Sequence, residues 1–139
     1  MTSPLHRFGP SAGTETAIGA GSPPKGQVMF TNPRTLCIRN LNDAFRTSLQ
    51  GGQCVLTSGV SELGVAFSTA ALAAVRSFKD FNADNDPYGE HDFGSFGIGE
   101  HKLFWKIDYY DHTLCYGSND PADEAQTKRV LTIMLAEEY

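Results

Sequence analysis

Residues 102–109 read Lys-Leu-Phe-Trp-Lys-Ile-Asp-Tyr, and this alternating stretch decides the fold of the chain. Leu103, Trp105, Ile107 and Tyr109 recur at every second position, which is the period of a β-strand with one face in the core. Residues 92–98 form the expected hairpin partner, with the turn at Gly99-Glu100. A second turn at Asp111-His112 is expected to lead into a short strand over residues 113–117.

Helical patterns precede this hairpin. Asn32-Pro33 is typical of a helix start, because Asn caps free backbone N–H groups and Pro suits the first helical position. Apolar side chains then recur at helical spacing as far as Gly51-Gly52, which ends the helix. We expect a strand over residues 53–58 and a second helix over about 66–79.

A last helix is predicted after Asn119-Asp120-Pro121. Asp120 would cap it, and its apolar face would be formed by Val130, Leu131, Met134 and Leu135. The order of these elements predicts an α+β fold, in which an antiparallel sheet of about four strands has three helices packed mainly on one face.

The first residues differ in composition from the rest. Residues 1–27 are rich in Gly, Pro, Ser and Thr and lack apolar periodicity, so we expect a flexible leader before a single α+β domain at 28–139. We find neither an apolar run of membrane-spanning length nor a signal-peptide core. A cytoplasmic location without membrane binding is therefore expected.

Negative charge is concentrated in one part of the chain. Eleven of the 16 Asp and Glu residues lie between Asp80 and Glu124, against Lys102 and Lys106 alone, while the whole chain carries −5. An acidic surface repels nucleic-acid phosphates, so direct nucleic-acid binding is not expected. Such a surface suits a basic protein partner or a cation.

The densest acidic stretch is residues 80–92, Asp-Phe-Asn-Ala-Asp-Asn-Asp-Pro-Tyr-Gly-Glu-His-Asp. It fails as an EF-hand loop, because Asn85 stands where Gly is needed and His91 where a bidentate Glu is needed. A looser site for a divalent cation is one alternative, with the candidate ligands Asp84, Asp86, Glu90 and His91. The other alternative is a polar loop in which Asp and Asn fix turns, with no cofactor.

Histidine-assisted chemistry has three candidate catalytic residues, His91, Glu90 and Asp92. On a strand, Glu90 and Asp92 would share one face and His91 would take the other, so no ready dyad is predicted. Neither G-x-S-x-G nor H-E-x-x-H occurs in the sequence.

The second face of the aromatic strand is a candidate partner surface. Its residues are Phe104, Lys106, Asp108 and Tyr110. Aromatic residues are enriched at interfaces, which favours partner binding there. The alternative is that a helix covers this face. A structural domain that only forms a homodimer is a further, separate option for the chain.

Four sequence blocks resemble a known family: residues 41–46, 85–94, 104–111 and 129–139. The family consists of small uncharacterised alphaproteobacterial proteins, a domain of unknown function that is often encoded on plasmids and other mobile elements. The resemblance covers about residues 36–139. It implies a bacterial cytoplasmic protein, and it implies no activity and no catalytic residues.

Two function classes follow from these observations. The first is a non-catalytic protein-interaction module of mobile-element origin, such as an accessory or counter-defence protein with an acidic binding face. The alternative is a small metal-dependent or histidine-assisted enzyme with its site at residues 84–92. The sequence leaves open whether the protein is an enzyme.

Overall fold

A computed structural model of the chain describes residues 32–139. The predicted leader over residues 1–27 and the first residues of the predicted domain lie outside the described residues. Helix α1 spans Pro33–Ser48 and begins as predicted, since the Asn32 side chain accepts a hydrogen bond from the Thr35 backbone N–H at 2.8 Å. It ends at Leu49, whose φ of 61° is left-handed.

Three helices and a four-stranded sheet make up the described fold, which confirms the α+β class. After α1 come strand β1 (Gly52–Leu56), the short helix α2 (Ser58–Ser61), helix α3 (Val65–Arg76), strands β2 (Phe93–Ile98) and β3 (His101–Tyr110), and strand β4 (Lys128–Leu135). Two 3-10 helices, Glu124–Gln126 and Ala136–Glu138, flank β4. The predicted β2–β3 hairpin is confirmed, with Ile98 opposite His101 across the turn.

The sheet is mixed, so the prediction of an antiparallel sheet is wrong in one respect. The strand order is β1-β4-β3-β2, and β1 pairs with β4 in parallel while the other two pairings are antiparallel. The reason is topological: the chain passes through α2, α3 and the hairpin before β4 enters the sheet between β1 and β3. β4 then runs in the same direction as β1.

The predicted C-terminal helix is also wrong, because residues 128–135 form β4. This segment contains the β-branched residues Val130, Thr132 and Ile133, which suit a strand. The sheet satisfies the backbone of β4 on both sides, from Gly52↔Arg129 on β1 to Leu103↔Leu135 on β3. The supposed helix cap Asp120 instead accepts a bond from the Ala122 backbone N–H at 3.1 Å, in a turn.

The predicted strand over residues 113–117 is not formed. Only one isolated bridge, Tyr110↔Gly117, pairs this segment with β3. Several of its backbone groups are used within a tight loop, since the N–H groups of residues 113–115 and the carbonyl of Tyr116 all form hydrogen bonds inside residues 111–116.

The core lies between the helices and one face of the sheet. The fully buried sheet residues are Leu103, Trp105, Ile107, Leu131 and Ile133, and they pack in one cluster with residues of α1, α2 and α3. Burying each such side chain contributes roughly 1.5–3 kcal/mol. The three helices therefore pack on one face; α1 and α3 are predicted elements, whereas α2 was not predicted and the predicted C-terminal helix is absent from the described residues. Within residues 32–139, no helix combines the length and apolar character needed to cross a membrane.

Candidate functional site

The acidic segment does not form an open surface, because its end turns toward the core between α1 and β3. Glu90 is 1% exposed and Asp92 is 5% exposed. The Asp86 side chain is also nearly covered, at 6%. Two polar clusters result, one around Glu90 and one around His91.

The Glu90 cluster is a buried hydrogen-bond network. The Tyr109 hydroxyl donates to Glu90 Oε1 at 2.8 Å. Asn42 Nδ2 donates to the Glu90 carbonyl at 2.9 Å and to the Tyr109 hydroxyl oxygen at 2.8 Å. Arg129 Nε donates to Asn42 Oδ1 at 2.6 Å, so that the network joins α1, the acidic segment, β3 and β4.

Burial dominates the electrostatics of this cluster. It raises the pKa of Glu90 to about 7; the hydrogen bond from Tyr109 opposes this effect, and the charge of Asp86 adds to it. Burial also raises the pKa of Tyr109 well above its ordinary value. Glu90 Oε2 is buried and has no hydrogen-bond partner among the described residues. With a pKa of about 7, Glu90 titrates near neutral pH in the folded protein and is mostly protonated below it.

The His91 cluster holds one imidazole between two carboxylates. Nδ1 lies 3.0 and 3.1 Å from the two carboxylate oxygens of Asp43, and Nε2 lies 3.7 Å from Asp86 Oδ2. The ring stacks on Phe81 at a centroid distance of 3.8 Å and an interplanar angle of 2°. The backbone of His91 has φ 57°, a left-handed conformation that non-glycine residues adopt rarely.

The buried side chain of Arg46 is hydrogen-bonded to the His91 cluster through Asp43. Arg46 Nη2 donates to Asp43 at 2.9 Å, and Nη1 donates to the Val75 and Phe78 carbonyls at 2.9 and 3.0 Å. Burial raises the pKa of Asp43, but the hydrogen bonds and charges of His91 and Arg46 outweigh it, so the pKa lies below its ordinary value. Asp43 therefore stays ionised at neutral pH and orients the imidazole.

An open pocket of about 290 Å³ adjoins the His91 cluster. It lies where the C-terminal ends of α1 and α3 approach the acidic segment, and its lining includes Asp43, Arg46, Arg76, Lys79, Phe81 and His91. Three of its lining residues are thus Lys or Arg. The surroundings of His91 are therefore less acidic than the sequence of residues 80–92 suggests.

The four candidate metal ligands do not converge. Asp86 and His91 are neighbours, but Glu90 points to Tyr109, and Asp84 is exposed in a turn held by the Asn82 side chain. In the part of the chain that the structure describes, no three His, Cys, Asp or Glu side chains form a group that could hold a metal ion.

The three candidate catalytic residues are separated in a similar way. Glu90 and Asp92 are buried, whereas the side chain of His91 is 21% exposed at the edge of the pocket. Residues 90–92 precede β2 and do not form the strand on which their predicted alternation rested, and Glu90 and His91 belong to different polar clusters. The dyad partner of His91 is instead Asp43 on α1.

The predicted partner-binding residues lie on the sheet face opposite the core, and they are only partly accessible. Lys106 Nζ and Asp108 Oδ2 form an ion pair at 2.5 Å, with side chains that are 15% and 5% exposed. Phe104 packs against Phe93 and Tyr139, at centroid distances of 5.2 and 5.4 Å. Tyr110 is half-buried and adjoins the loop that follows β3.

The loop that follows β3 exposes two apolar side chains that the sequence analysis did not single out. Tyr116 is 73% exposed and Leu114 is 39% exposed. Asp111 holds the loop closed, since its carboxylate accepts bonds from the backbone N–H and hydroxyl of Thr113 at 3.0 and 2.6 Å. His112 Nε2 donates to the Ala125 carbonyl at 2.7 Å and ties the loop to the following 3-10 helix. We call residues 111–127 the acidic loop region.

A family model described as protein of unknown function (DUF3768) matches residues 56–138. The chain belongs to this family. The matched region includes the acidic segment, the hairpin, the acidic loop region and β4, and it begins after α1. No curated protein and no solved structure matches the chain.

Several site residues were missed by the sequence analysis, above all Asn42, Asp43 and Arg129. For Asn42 a signal was present, because it lies four positions after Ile38 and three before Phe45, on the core face of α1. A polar residue on an apolar helix face indicates a buried hydrogen-bond network. No comparable signal marks Arg129, since its partners come from distant parts of the chain.

Proposed function

We propose that the protein is a non-catalytic protein-interaction module of mobile-element origin and that its partner binds at the acidic loop region. The observation that carries this proposal is Tyr116, a large side chain that is 73% exposed on a hydrogen-bonded loop. Tyrosine is among the residues that contribute most binding energy at interfaces. Leu114 of the same loop is 39% exposed, and Tyr110 is bridged to Gly117, the residue after Tyr116.

The order of this loop supports the proposal. The Asp111 backbone N–H donates to the Tyr116 carbonyl at 2.8 Å, and the Leu114 N–H donates to the Asp111 carbonyl at 2.9 Å. Leu114 is held at φ 64°, a left-handed conformation that costs energy for a branched residue. A loop fixed before binding loses less conformational entropy when a partner arrives, which favours affinity.

The charge of the acidic loop region indicates a basic partner. It contains four acidic residues and no Lys or Arg, and Arg34 of α1 pairs with one of the four, Asp120, at 3.0 Å, which leaves an excess of three negative charges. Hydrogen bonds from Thr113 hold the pKa of Asp111 below its ordinary value, and a bond from Gln126 does the same for the pKa of Asp123. These carboxylates therefore remain charged at neutral pH, where they would accelerate association with a positively charged surface.

The geometry gives less support to a histidine-assisted enzyme. Nε2 of His91, the ring nitrogen left free by Asp43, faces Asp86 at 3.7 Å. A general base must reach the proton that it removes. A metal-dependent enzyme would need ligands that converge, and the candidate ligands point in different directions.

Quantitative affinity purification from a bacterial host lysate tests the interaction. The baits are the wild-type chain, the double variant Leu114→Ser/Tyr116→Ser, and the control Val65→Ser, which removes an apolar side chain that is 82% exposed on α3. We expect one partner to be enriched with the wild type and Val65→Ser and lost with the double variant. We also expect its recovery to fall as salt is raised, because exposed charges are then screened.

Equal recovery with the double variant would refute this site. Recovery that is independent of salt would refute the electrostatic part of the argument. The mobile-element and counter-defence context is tested separately: the partner should be a basic host protein, and its activity should change when the wild-type chain, but not the double variant, is added.

A further inference from the structure

We propose that the 290 Å³ pocket beside His91 binds a small phosphate monoester, and that the phosphate group is held by Arg76 and Lys79. This inference is independent of the proposed interaction site, because it concerns other residues. Positive charge is concentrated at this pocket. Arg46, Arg76 and Lys79 line one pocket in a chain whose formal net charge is −5.

Arg76 and Lys79 have no carboxylate partner among residues 32–139. Arg76 Nε donates to the Thr47 carbonyl at 2.8 Å, which fixes the guanidinium at the pocket while its terminal nitrogens form no hydrogen bond with described residues. Lys79 is exposed and forms no ion pair within the described part of the chain. A guanidinium and an ammonium group that line the same pocket suit a phosphate, because the guanidinium offers two parallel donors and the ammonium adds a second positive charge.

One carboxylate and the C-terminal ends of α1 and α3 would oppose an anion at the pocket, and each already accepts a hydrogen bond from an arginine. Asp43 accepts hydrogen bonds from Arg46 at 2.9 Å and lies 3.0 Å from His91 Nδ1. The C-terminal end of α3 carries partial negative charge on its carbonyls. Arg46 donates to the carbonyl of Val75 in the last turn of α3 and to the carbonyl of Phe78, two residues beyond the helix. The charges of Arg76 and Lys79 therefore remain available to a ligand.

The aromatic side of the pocket indicates an organic phosphate. Phe78 and Phe81 line it, and Phe81 is held between the His91 ring and the core. The pocket volume lies near the lower end of the usual range for small-molecule sites, roughly 300–1,000 Å³. A compact apolar group attached to the phosphate would contact these rings, and inorganic phosphate would not.

Isothermal titration calorimetry of the full chain at low salt tests this proposal, with inorganic phosphate and phenyl phosphate as probes. We expect saturable binding of both probes at one site, with phenyl phosphate binding more tightly. Arg76→Gln and Lys79→Gln should each weaken binding roughly ten-fold or more, the effect of losing one charge-assisted hydrogen bond. The control Lys102→Gln removes a charge from an exposed lysine on β3 and should leave binding unchanged.

Three results would overturn the proposal. The first is no saturable binding of either probe. The second is an equal loss with Lys102→Gln, which would mean that the net charge alone governs the titration. The third is equal affinity for the two probes, which would overturn the monoester and leave the phosphate ion as the ligand. Unchanged binding in Leu114→Ser/Tyr116→Ser would show that this site is separate from the interaction surface.

Discussion

The buried carboxyl of Glu90 makes a quantitative prediction about the pH dependence of stability. Its pKa is about 7 in the folded protein, against an ordinary value of 4.5. Between these two pH values the folded chain keeps the proton that the unfolded chain releases. The free energy of unfolding therefore falls as pH rises from about 4.5 to about 7, and the loss is complete above pH 7. The difference between the two pKa values corresponds to roughly 3 kcal/mol.

Glu90→Gln removes this titration while retaining the acceptor for the Tyr109 hydroxyl. We expect the variant to be more stable than the wild type by roughly 3 kcal/mol at pH 8, with a difference that shrinks toward zero near pH 4.5. The shrinking difference is the diagnostic feature, because a packing effect of the amide would be the same at every pH.

Urea unfolding at a series of pH values from 4.5 to 8.5 measures this difference. Trp105 is the single tryptophan and is fully buried, so its fluorescence reports the loss of the core. Glu100→Gln, at the exposed β2–β3 turn, is the matched control and should follow the wild type at every pH. A difference between Glu90→Gln and the wild type that stays constant from pH 5 to 8 would refute the reasoning.

Further predictions concern the other contacts of the site and core. Asn42→Ala should lower the free energy of unfolding by about 3 kcal/mol, because it leaves a buried guanidinium N–H without an acceptor. The control Asn40→Ala, on the exposed face of α1, should change the free energy of unfolding little. Equal effects of the two substitutions in urea unfolding would contradict the network. His91→Ala should lower the free energy of unfolding by about 2 kcal/mol, because the contact with the Asp43 carboxylate and the stack on Phe81 are lost. An unchanged midpoint in urea unfolding would mean that these contacts contribute nothing to stability. Gly94→Ala should lower the free energy of unfolding by about 2 kcal/mol, because a Cβ at this position would clash with the rings of Trp105 and Phe78. Gly97→Ala should be tolerated, since the nearest atom to a Cβ there would lie at 3.6 Å. A thermal melt that ranks Gly97→Ala as the less stable of the two would refute this packing.

Local signals in the sequence were sufficient where the structure is local. The start of α1 depends on Asn32 and Pro33, which are adjacent, and the hairpin depends on alternation and a two-residue turn. Both were predicted correctly, because capping and turn formation involve residues within a few positions of one another.

Residues 128–135 show where local signals were insufficient. The sequence Lys-Arg-Val-Leu-Thr-Ile-Met-Leu has apolar side chains at helical spacing as well as β-branched residues, and the preceding Asp120-Pro121 resembles a helix start. Pairing with β1 and β3 favours the strand over the helix. The pattern within residues 128–135 cannot reveal this pairing, because the partner strands lie elsewhere in the chain.

For the candidate site, the sequence indicates a segment but not the residues that surround it in the fold. Residues 85–94 do contribute Glu90 and His91, yet the partners that define their chemistry, Asp43 and Tyr109, come from α1 and β3. The sequence shows the number of carboxylates in a stretch but not their burial. Burial is what separates Glu90, with its raised pKa, from an ordinary surface acid.

The position of β4 between β1 and β3 has a consequence for how quickly the chain folds. β2, β3 and β4 are neighbours in chain order, but β1 pairs with β4 alone, so hairpin formation cannot complete the sheet. The pairing Gly52↔Arg129 closes a long loop, and the entropy of that loop must be lost before the contacts between β1 and β4 compensate for it. We therefore expect the β2–β3 hairpin and α1 to form early and the pairing of β1 with β4 to limit the folding rate. Until this pairing forms, the edge of β4 is open to other chains, which makes that interval the time of greatest aggregation risk.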